Sequence, residues 1–380
     1  GFARACGTRH ALSCSNGTVA LHLALLTLGA EAGDEVIIPS LTFISTANSV
    51  RYVGATPVFA DVDAATWCLD PAKIEAGITE KTRGIIVVHL YGHPADMDPI
   101  KAIAERHGLW IIEDAAEAHF ARYKGNTVGG IGDIGTFSFY GNKTMTSGEG
   151  GAITFNRDEL LQSARMLRGQ GMDPERRYYF PIIGHNFRLT NVACAMLCAQ
   201  LERWGEMLQW RQNLFDAYRK ELDGIPGIGF QPVAEWSEPT PWLFFITVDE
   251  AVYGCSRELN AARIIDRAAV RYVVLPLCAR PIRGLLAGFL PQTAFWLRGS
   301  AVRLDDMAVE QAAPSGSAAP QPLKIMSPTA LLSEQGVQTE RASAPGVSDK
   351  LPLWKQVARL LVLTLRFARH VCLLPVRGLR

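Results

Sequence analysis

The chain has 380 residues, 48% hydrophobic and 20% charged, enough to bury at least one large core and, at usual domain sizes, two. A formal net charge of +1 removes any general electrostatic reason to expect nucleic acid as a partner. Eight cysteines occur without a paired CxxC or a histidine spacing suited to zinc, so no metal site is expected, and reduced thiols in the cytoplasm fit better than a disulfide framework.

The opening Gly1-Phe2-Ala3-Arg4-Ala5 carries no secretory signal and reads as the tail of a helix, so an upstream segment is expected. From His10 to about Asn156 short apolar runs alternate with helical segments, the signature of α/β layering around a mostly parallel sheet. Buried strands are predicted at 36–39, 56–61, 84–89, 109–114 and 135–139, and helices near 17–28, 42–52, 97–107, 157–167 and, as one long element, 191–222. Cys194 and Cys198, four apart on that last helix, share a face, and core packing accounts for them better than a metal. A large domain over 1–215 is followed by a small α+β domain over 216–310, whose strand-like pattern is clearest over 227–248. Residues 311–350 read as a low-complexity linker. Residues 351–374 read as a basic amphipathic helix, packed, partner-binding or lying on a membrane surface, but too interrupted by charge for a span.

Four places in the first half suit one ligand, a phosphorylated pyridine aldehyde. Ser15-Asn16-Gly17-Thr18, directly before an apolar helix, offers free amides and a hydroxyl to a phosphate, although an ordinary N-cap explains Ser15 or Thr18 equally well. Phe43, beyond Pro39-Ser40-Leu41-Thr42, can stack on a ring or simply pack in the core. Asp114, in Glu113-Asp114-Ala115-Ala116-Glu117-Ala118-His119 at a strand's C-terminal end, can hold a pyridine nitrogen protonated, or cap a helix. Lys143 lies in Ser138-Phe139-Tyr140-Gly141-Asn142-Lys143-Thr144, where packing beside Phe137, Phe139 and Tyr140 would desolvate the amine into a nucleophile, and Ser138 adds a phosphate hydrogen bond. Taken alone Lys143 is an exposed turn lysine; the joint occurrence in this order is what gives it weight. His89, His93 and His119 read as core or rim histidines, and Arg176-Arg177-Tyr178-Tyr179 as a solvated basic loop.

These motifs, with Gly184-His185-Asn186-Phe187-Arg188-Leu189-Thr190-Asn191, resemble the pyridoxal-phosphate sugar aminotransferases of the DegT/DnrJ/EryC1/StrS family from about Phe2 to about Glu250. The resemblance implies a fold-type-I aminotransferase, a cytoplasmic homodimer with a mostly parallel sheet flanked by helices and a smaller α+β C-terminal domain. It implies pyridoxal 5'-phosphate as cofactor, bound covalently by Lys143. Asp114 then pairs with the pyridine nitrogen, Glu117 lies near the ring hydroxyl, and Phe43 stacks on the ring. Gly17, Thr18 and Ser138 would bind the phosphate, Asn16 is a further cofactor-binding residue, and Asn186 would reach the partner subunit's cofactor. His185 and Arg188 are candidate substrate contacts. The wording around Lys143 is most similar to enzymes that aminate a GDP-linked 4-keto-6-deoxymannose with L-glutamate, for surface polysaccharide or secondary metabolites. UDP- or dTDP-linked ketosugars and a cofactor-binding pseudoenzyme are the alternatives.

The family pattern ceases to be legible after Ser256-Arg257 and returns briefly at Arg303-Leu304-Asp305-Asp306-Met307. A shifted reading frame between the two, and a damaged small domain, are therefore expected.

Overall fold

The computed structural model describes residues 1–253. The expected linker, the expected amphipathic helix and the part of the expected small domain beyond 253 lie outside the described residues. In chain order the elements are α1 (Phe2–Ala5), β1 (His10–Cys14), α2 (Gly17–Thr27), β2 (Glu35–Pro39), α3 (Ser45–Tyr52), β3 (Thr56–Ala60), α4 (Pro71–Ile74), β4 (Thr82–Val88), α5 (Met97–His107) and β5 (Trp110–Asp114). There follow β6 (Arg122–Tyr123), β7 (Asn126–Thr127), β8 (Ile134–Ser138), β9 (Gly151–Phe155), α6 (Glu159–Arg168), α7 (Asn191–Glu202), α8 (Trp204–Leu222), β10 (Ile228–Gly229), β11 (Ser237–Glu238), β12 (Thr247–Val248) and α9 (Glu250–Tyr253).

Seven strands form one sheet in the order β1-β9-β8-β5-β4-β2-β3. β3, β2, β4, β5 and β8 run parallel, whereas β9 lies antiparallel to both β8 and β1. Strands buried on both faces carry continuous apolar runs, because neither face can be left to water. Successive side chains then feed two separate cores. Ile37, Ile85, Val87 and Ile111 pack with Met97, Ile100 and Ile103 of α5, while Val36, Ile38, Ile86 and Ile112 pack with α2, Val50 of α3 and Leu160 of α6. In β4, Gly84 stands opposite Trp110; a β-carbon there would sit 2.1 Å from the indole, so the large ring and the missing side chain are one packing decision.

α2 is apolar almost all round because the sheet, α3 and α6 enclose it. Leu21, Leu23 and Leu25 are buried in it, each stabilising the fold by about 1.5–3 kcal/mol. Extended Asn16 starts it by accepting from the Val19 amide at 2.9 Å, and Gly29 at φ 79° follows its end.

The helix expected over 191–222 is two. Arg203 (φ −106°, ψ 15°) leaves the helical region between α7 and α8, which seats Trp204 edge-on against Phe120 at 4.7 Å. The domain boundary expected at 215/216 falls within α8. Cys194 and Cys198 do not both reach the core. α7 is anchored through Leu197, leaving Cys194 half-buried with its Sγ 3.8 Å from the Ser13 hydroxyl, and Cys198 exposed. The strand-like pattern of 227–248 is realised as the antiparallel pair β10–β12, and β11 joins the small sheet of β6 and β7.

Candidate active site

The C-terminal ends of β2, β5 and β8 meet the N-terminus of α2 on one edge of the sheet, the edge where open α/β sheets bind ligands. Asp114 ends β5 and pairs in register with Thr136 of β8, two residues before Ser138. Beyond Ser138 the chain makes a closed excursion. Phe139 N–H donates to Gly150 O at 2.7 Å and Ser147 N–H to Phe139 O at 3.1 Å, and the strand resumes at Gly151 opposite Ser138. Lys143 sits on that excursion and is buried.

The Lys143 Nζ lies 4.0 Å from Glu117 Oε1 and 3.7 Å from the centre of the Trp242 ring. Burial pushes its ammonium below the ordinary lysine value, and the carboxylates of Glu117 and Asp114 oppose that shift only in part. Its backbone is also gripped: Arg211 of α8 donates to Lys143 O at 3.3 Å and to Trp242 O at 3.1 Å, and the Trp242 indole N–H donates to Asn142 O at 3.0 Å. His119, buried between Phe137 and Phe139 with ring centres 5.8 and 5.6 Å away, is driven down to about 3 by burial and then by the Lys143 charge, so its imidazole is neutral.

Asp114 is buried and accepts from the Ala116 amide and the Thr46 hydroxyl, each at 3.2 Å. Burial raises its carboxyl, against the pull of the Ala116 amide, Lys143 and Thr46 toward the ionised form. Thr46 ties this carboxylate to the stacking candidate: its amide bonds to Phe43 O at 3.1 Å, and its hydroxyl lies 2.9 Å from that of Thr42. Phe43 is half exposed, so it is not the core residue that its type alone suggests.

Glu117 accepts from the Tyr91 amide at 2.8 Å, and burial pushes its carboxyl up to about 7. Tyr91 presents that N–H only because its backbone is left-handed at φ 56°, which costs a side-chain-bearing residue on the order of 1 kcal/mol or more. Its ring stacks on Phe245 at 3.6 Å.

The first amides of α2 precede any intrahelical bond and sit against the end of β8. A β-carbon on Gly17 would be 2.7 Å from Ser138 Cβ and 3.0 Å from its Oγ. Gly17, Thr18 and the Ser138 hydroxyl therefore make a cradle that a side chain would fill, with the helix dipole favouring an anion there. A phosphate in that cradle, a buried carboxylate for a ring nitrogen and a desolvated amine fit a phosphorylated pyridine aldehyde. Among the described residues no group of three or more His, Cys, Asp or Glu could hold a metal ion.

The structure brings Asn16, Gly17, Thr18, Phe43, Asp114, Glu117, Ser138 and Lys143 to this edge. His185, Asn186 and Arg188 lie on a separate segment that pairs with the end of α6: Gly169 bridges Asn186, and His185 stacks on Phe187 at 4.5 Å and 8°. Phe187 O accepts from the Ser15 amide at 2.8 Å, which sets this segment beside the phosphate cradle. His89 and His93 are buried and hydrogen-bonded. Thr46, Tyr91, Arg211 and Trp242 are functional neighbours that sequence reasoning missed. Thr46 alone had a signal, one helical turn after Phe43.

The model of the DegT/DnrJ/EryC1/StrS aminotransferase family matches residues 1–273, past the point near 257 where the pattern ceases to be legible by eye. The GDP-perosamine synthase of Caulobacter vibrioides is 52% identical over 252 residues, covering 66% of this chain and 68% of that protein. The GDP-perosamine synthase of Escherichia coli O157:H7 is 46% identical over 224 residues, covering 59% and 62%. This chain thus spans roughly two thirds or less of the length of these relatives. Among solved structures, DesV of S. venezuelae in complex with a ketimine intermediate superposes with a TM-score of 0.63 at 40% identity, covering 66% of this chain and 68% of DesV.

Proposed function

Because this chain belongs to the DegT/DnrJ/EryC1/StrS family of pyridoxal-phosphate aminotransferases, we propose that its site moves an amino group from L-glutamate to the C4 carbonyl of a nucleotide-linked 4-keto-6-deoxy sugar, GDP-linked as in perosamine synthesis. The observation that carries this reading is the Lys143 amine, buried 4.0 Å from Glu117 and in the field of Asp114 on the ligand-binding edge of the sheet. The similarity to two GDP-perosamine synthases supports the choice of sugar.

Pyridoxal phosphate supplies an electron sink when bound. Gly17, Thr18 and Ser138 would hold its phosphate, with Asn16 fixing the start of α2. Phe43 would cover one ring face, Asp114 would keep the ring nitrogen protonated, and Glu117 would lie near the ring hydroxyl. Lys143 would be the residue that binds it covalently. With its ammonium made more acidic by burial, Lys143 Nζ would take the proton from the α-carbon of glutamate in one half-reaction and return a proton to the sugar C4 in the other. The neutral His119 adds no competing charge beside it.

The product would serve surface polysaccharide such as lipopolysaccharide O-antigen. Five free cysteines among the described residues support a reducing, cytoplasmic setting. The working form is a homodimer: Tyr178, Ile183 and Val192 are 73%, 90% and 75% exposed on the stretch that carries Asn186, a patch that calls for a covering partner and from which Asn186 would reach the partner subunit's cofactor. His185 and Arg188 flank it as sugar-nucleotide contacts.

The test incubates purified protein with pyridoxal phosphate, L-glutamate and a panel of GDP-, UDP- and dTDP-linked 4-ketosugars, reading 2-oxoglutarate. Turnover with the GDP sugar and none in Lys143→Ala is the expected result. A Lys143→Ala protein that still turns over refutes the assignment, and a preference for another nucleotide refutes the sugar.

A further inference from the structure

Trp242 contributes three things to one residue. Its ring face lies 3.7 Å from Lys143 Nζ, its indole N–H holds Asn142 O, and its own carbonyl shares the Arg211 guanidinium with Lys143 O. Trp242 is 2% exposed, so the ring excludes water from the amine it faces. The other groups facing Nζ are Glu117 at 4.0 Å and Asp114, which favour the ammonium, and the neutral His119, while the Arg211 guanidinium meets the lysine's carbonyl oxygen. No hydrogen bond shorter than that 4.0 Å approach fastens the amine among the described residues. What holds it is a cation over an indole, the strongest of the aromatic partners, well inside the 6 Å limit of such attraction.

We infer that Trp242 is a positioning residue for Lys143: it provides the resting place of the free amine, which it holds by its π face while its edge and Arg211 fix the lysine's backbone. This rests on the proposed role of Lys143 and goes beyond it. The quadrupole acts only on the charged form. It therefore stabilises the ammonium, yet imposes no directional bond that must break when the amine moves to a substrate carbon. A ring that merely filled space would only keep water from the amine and disfavour the ammonium, so its loss would raise the midpoint rather than lower it.

The experiment reads the amine itself. Cofactor-free protein is labelled briefly with acetic anhydride across a pH series, and the Lys143 peptide is quantified by mass spectrometry, giving the midpoint at which the amine becomes reactive. Trp242→Leu should lower that midpoint by about one pH unit, roughly tenfold in acidity. Trp242→Phe, which keeps a weaker ring, should lower it by less. An unchanged midpoint, an upward shift from admitted water, or equal shifts in the two variants overturns the proposal. If Trp242→Leu does not fold, Trp242→Phe alone decides, a downward shift supporting the proposal and anything else overturning it. Borohydride reduction of the parent protein with pyridoxal phosphate tests the underlying role separately. A missing label at Lys143 alongside graded shifts would refute the lysine's catalytic role and leave the hold of Trp242 on the amine intact.

Discussion

Glu113 is the residue beside Asp114 and points to the other face of the sheet, where replacing it by glutamine should be severe. Its carboxylate is buried and saturated: Oε1 accepts from the amides of Ile131 and Gly132, each at 2.7 Å, and Oε2 from the Gly129 amide at 2.7 Å and His89 Nε2 at 3.0 Å. His89 Nδ1 already accepts from the Ala95 amide at 3.0 Å, so its Nε2 carries the proton and donates. Whichever way a glutamine side chain is turned, its NH2 faces two donors and leaves both unpaired. At about 1–3 kcal/mol for each stranded buried donor, Glu113→Gln should lose about 2–6 kcal/mol. Domains of this size lose about 2–4 °C in Tm per kcal/mol, so the drop should be roughly 4–24 °C by circular dichroism. Burial alone would raise this carboxyl, but the His89 bond and the amides of Gly132 and Gly129 outweigh it and hold it below the usual glutamate range. Its stabilising contribution is therefore present above the ordinary value of 4.5 and lost as pH falls through the lower folded value. The parent should thus lose more stability than the variant on acidification below that range. A variant melting within about 2 °C of the parent, less than 1 kcal/mol on the same scale, refutes the reasoning.

Three further outcomes are expected. Gly17→Ala should weaken pyridoxal phosphate binding about tenfold in a spectroscopic titration, since the new methyl meets Ser138 at 2.7 Å and displaces the cradle; unchanged affinity with a raised Tm would mean that only helix propensity had been felt. Thr46→Val keeps the shape and removes the hydroxyl that Asp114 accepts at 3.2 Å. At about 1.5–3 kcal/mol for a bond to a charged group, cofactor affinity should fall roughly 10- to 100-fold, and an unaltered Kd counts against Asp114 acting as an ionised partner. Glu117, raised to about 7, keeps its proton in the folded chain over a range where the unfolded chain has lost it. Its contribution is full below its ordinary value of 4.5 and is lost as pH rises to about 7. Cofactor-free parent protein should lose on the order of 3 kcal/mol more than Glu117→Gln between those limits, and parallel denaturation series would contradict this.

The parallel strands were readable because burial on both faces writes an uninterrupted apolar run, as in Ile85-Ile86-Val87-Val88, and Met97–His107 matched its expected bounds because Gly108 ends it at φ 64°. β1 and β9 escaped: His10–Cys14 and Gly151–Phe155 are short, and nothing local says that they will pair. Arg203 broke a helix for the sake of Trp204 on Phe120, a contact invisible along the chain. Around the site, Asp114 was legible because it closes a strand that the apolar pattern locates, and Lys143 because it follows soon after the end of another, whereas Glu117 was marked only by the family resemblance. Tyr91 enters through its backbone amide and a left-handed φ, and Trp242 through a fold that returns it to a lysine far back in the sequence; residue type encodes neither.

The excursion that carries Lys143 departs and returns through the paired residues Ser138 and Gly151, and Gly151 lies so near Asn16 that a β-carbon there would be 2.4 Å from the Asn16 carbonyl. The anchorage of the amine and that of the proposed phosphate cradle are therefore one mechanical part. Whatever sways at the rim, the span between the lysine and that cradle is gauged by the sheet seam, so a loose neighbour would dull the lysine's aim while its reach stays constant.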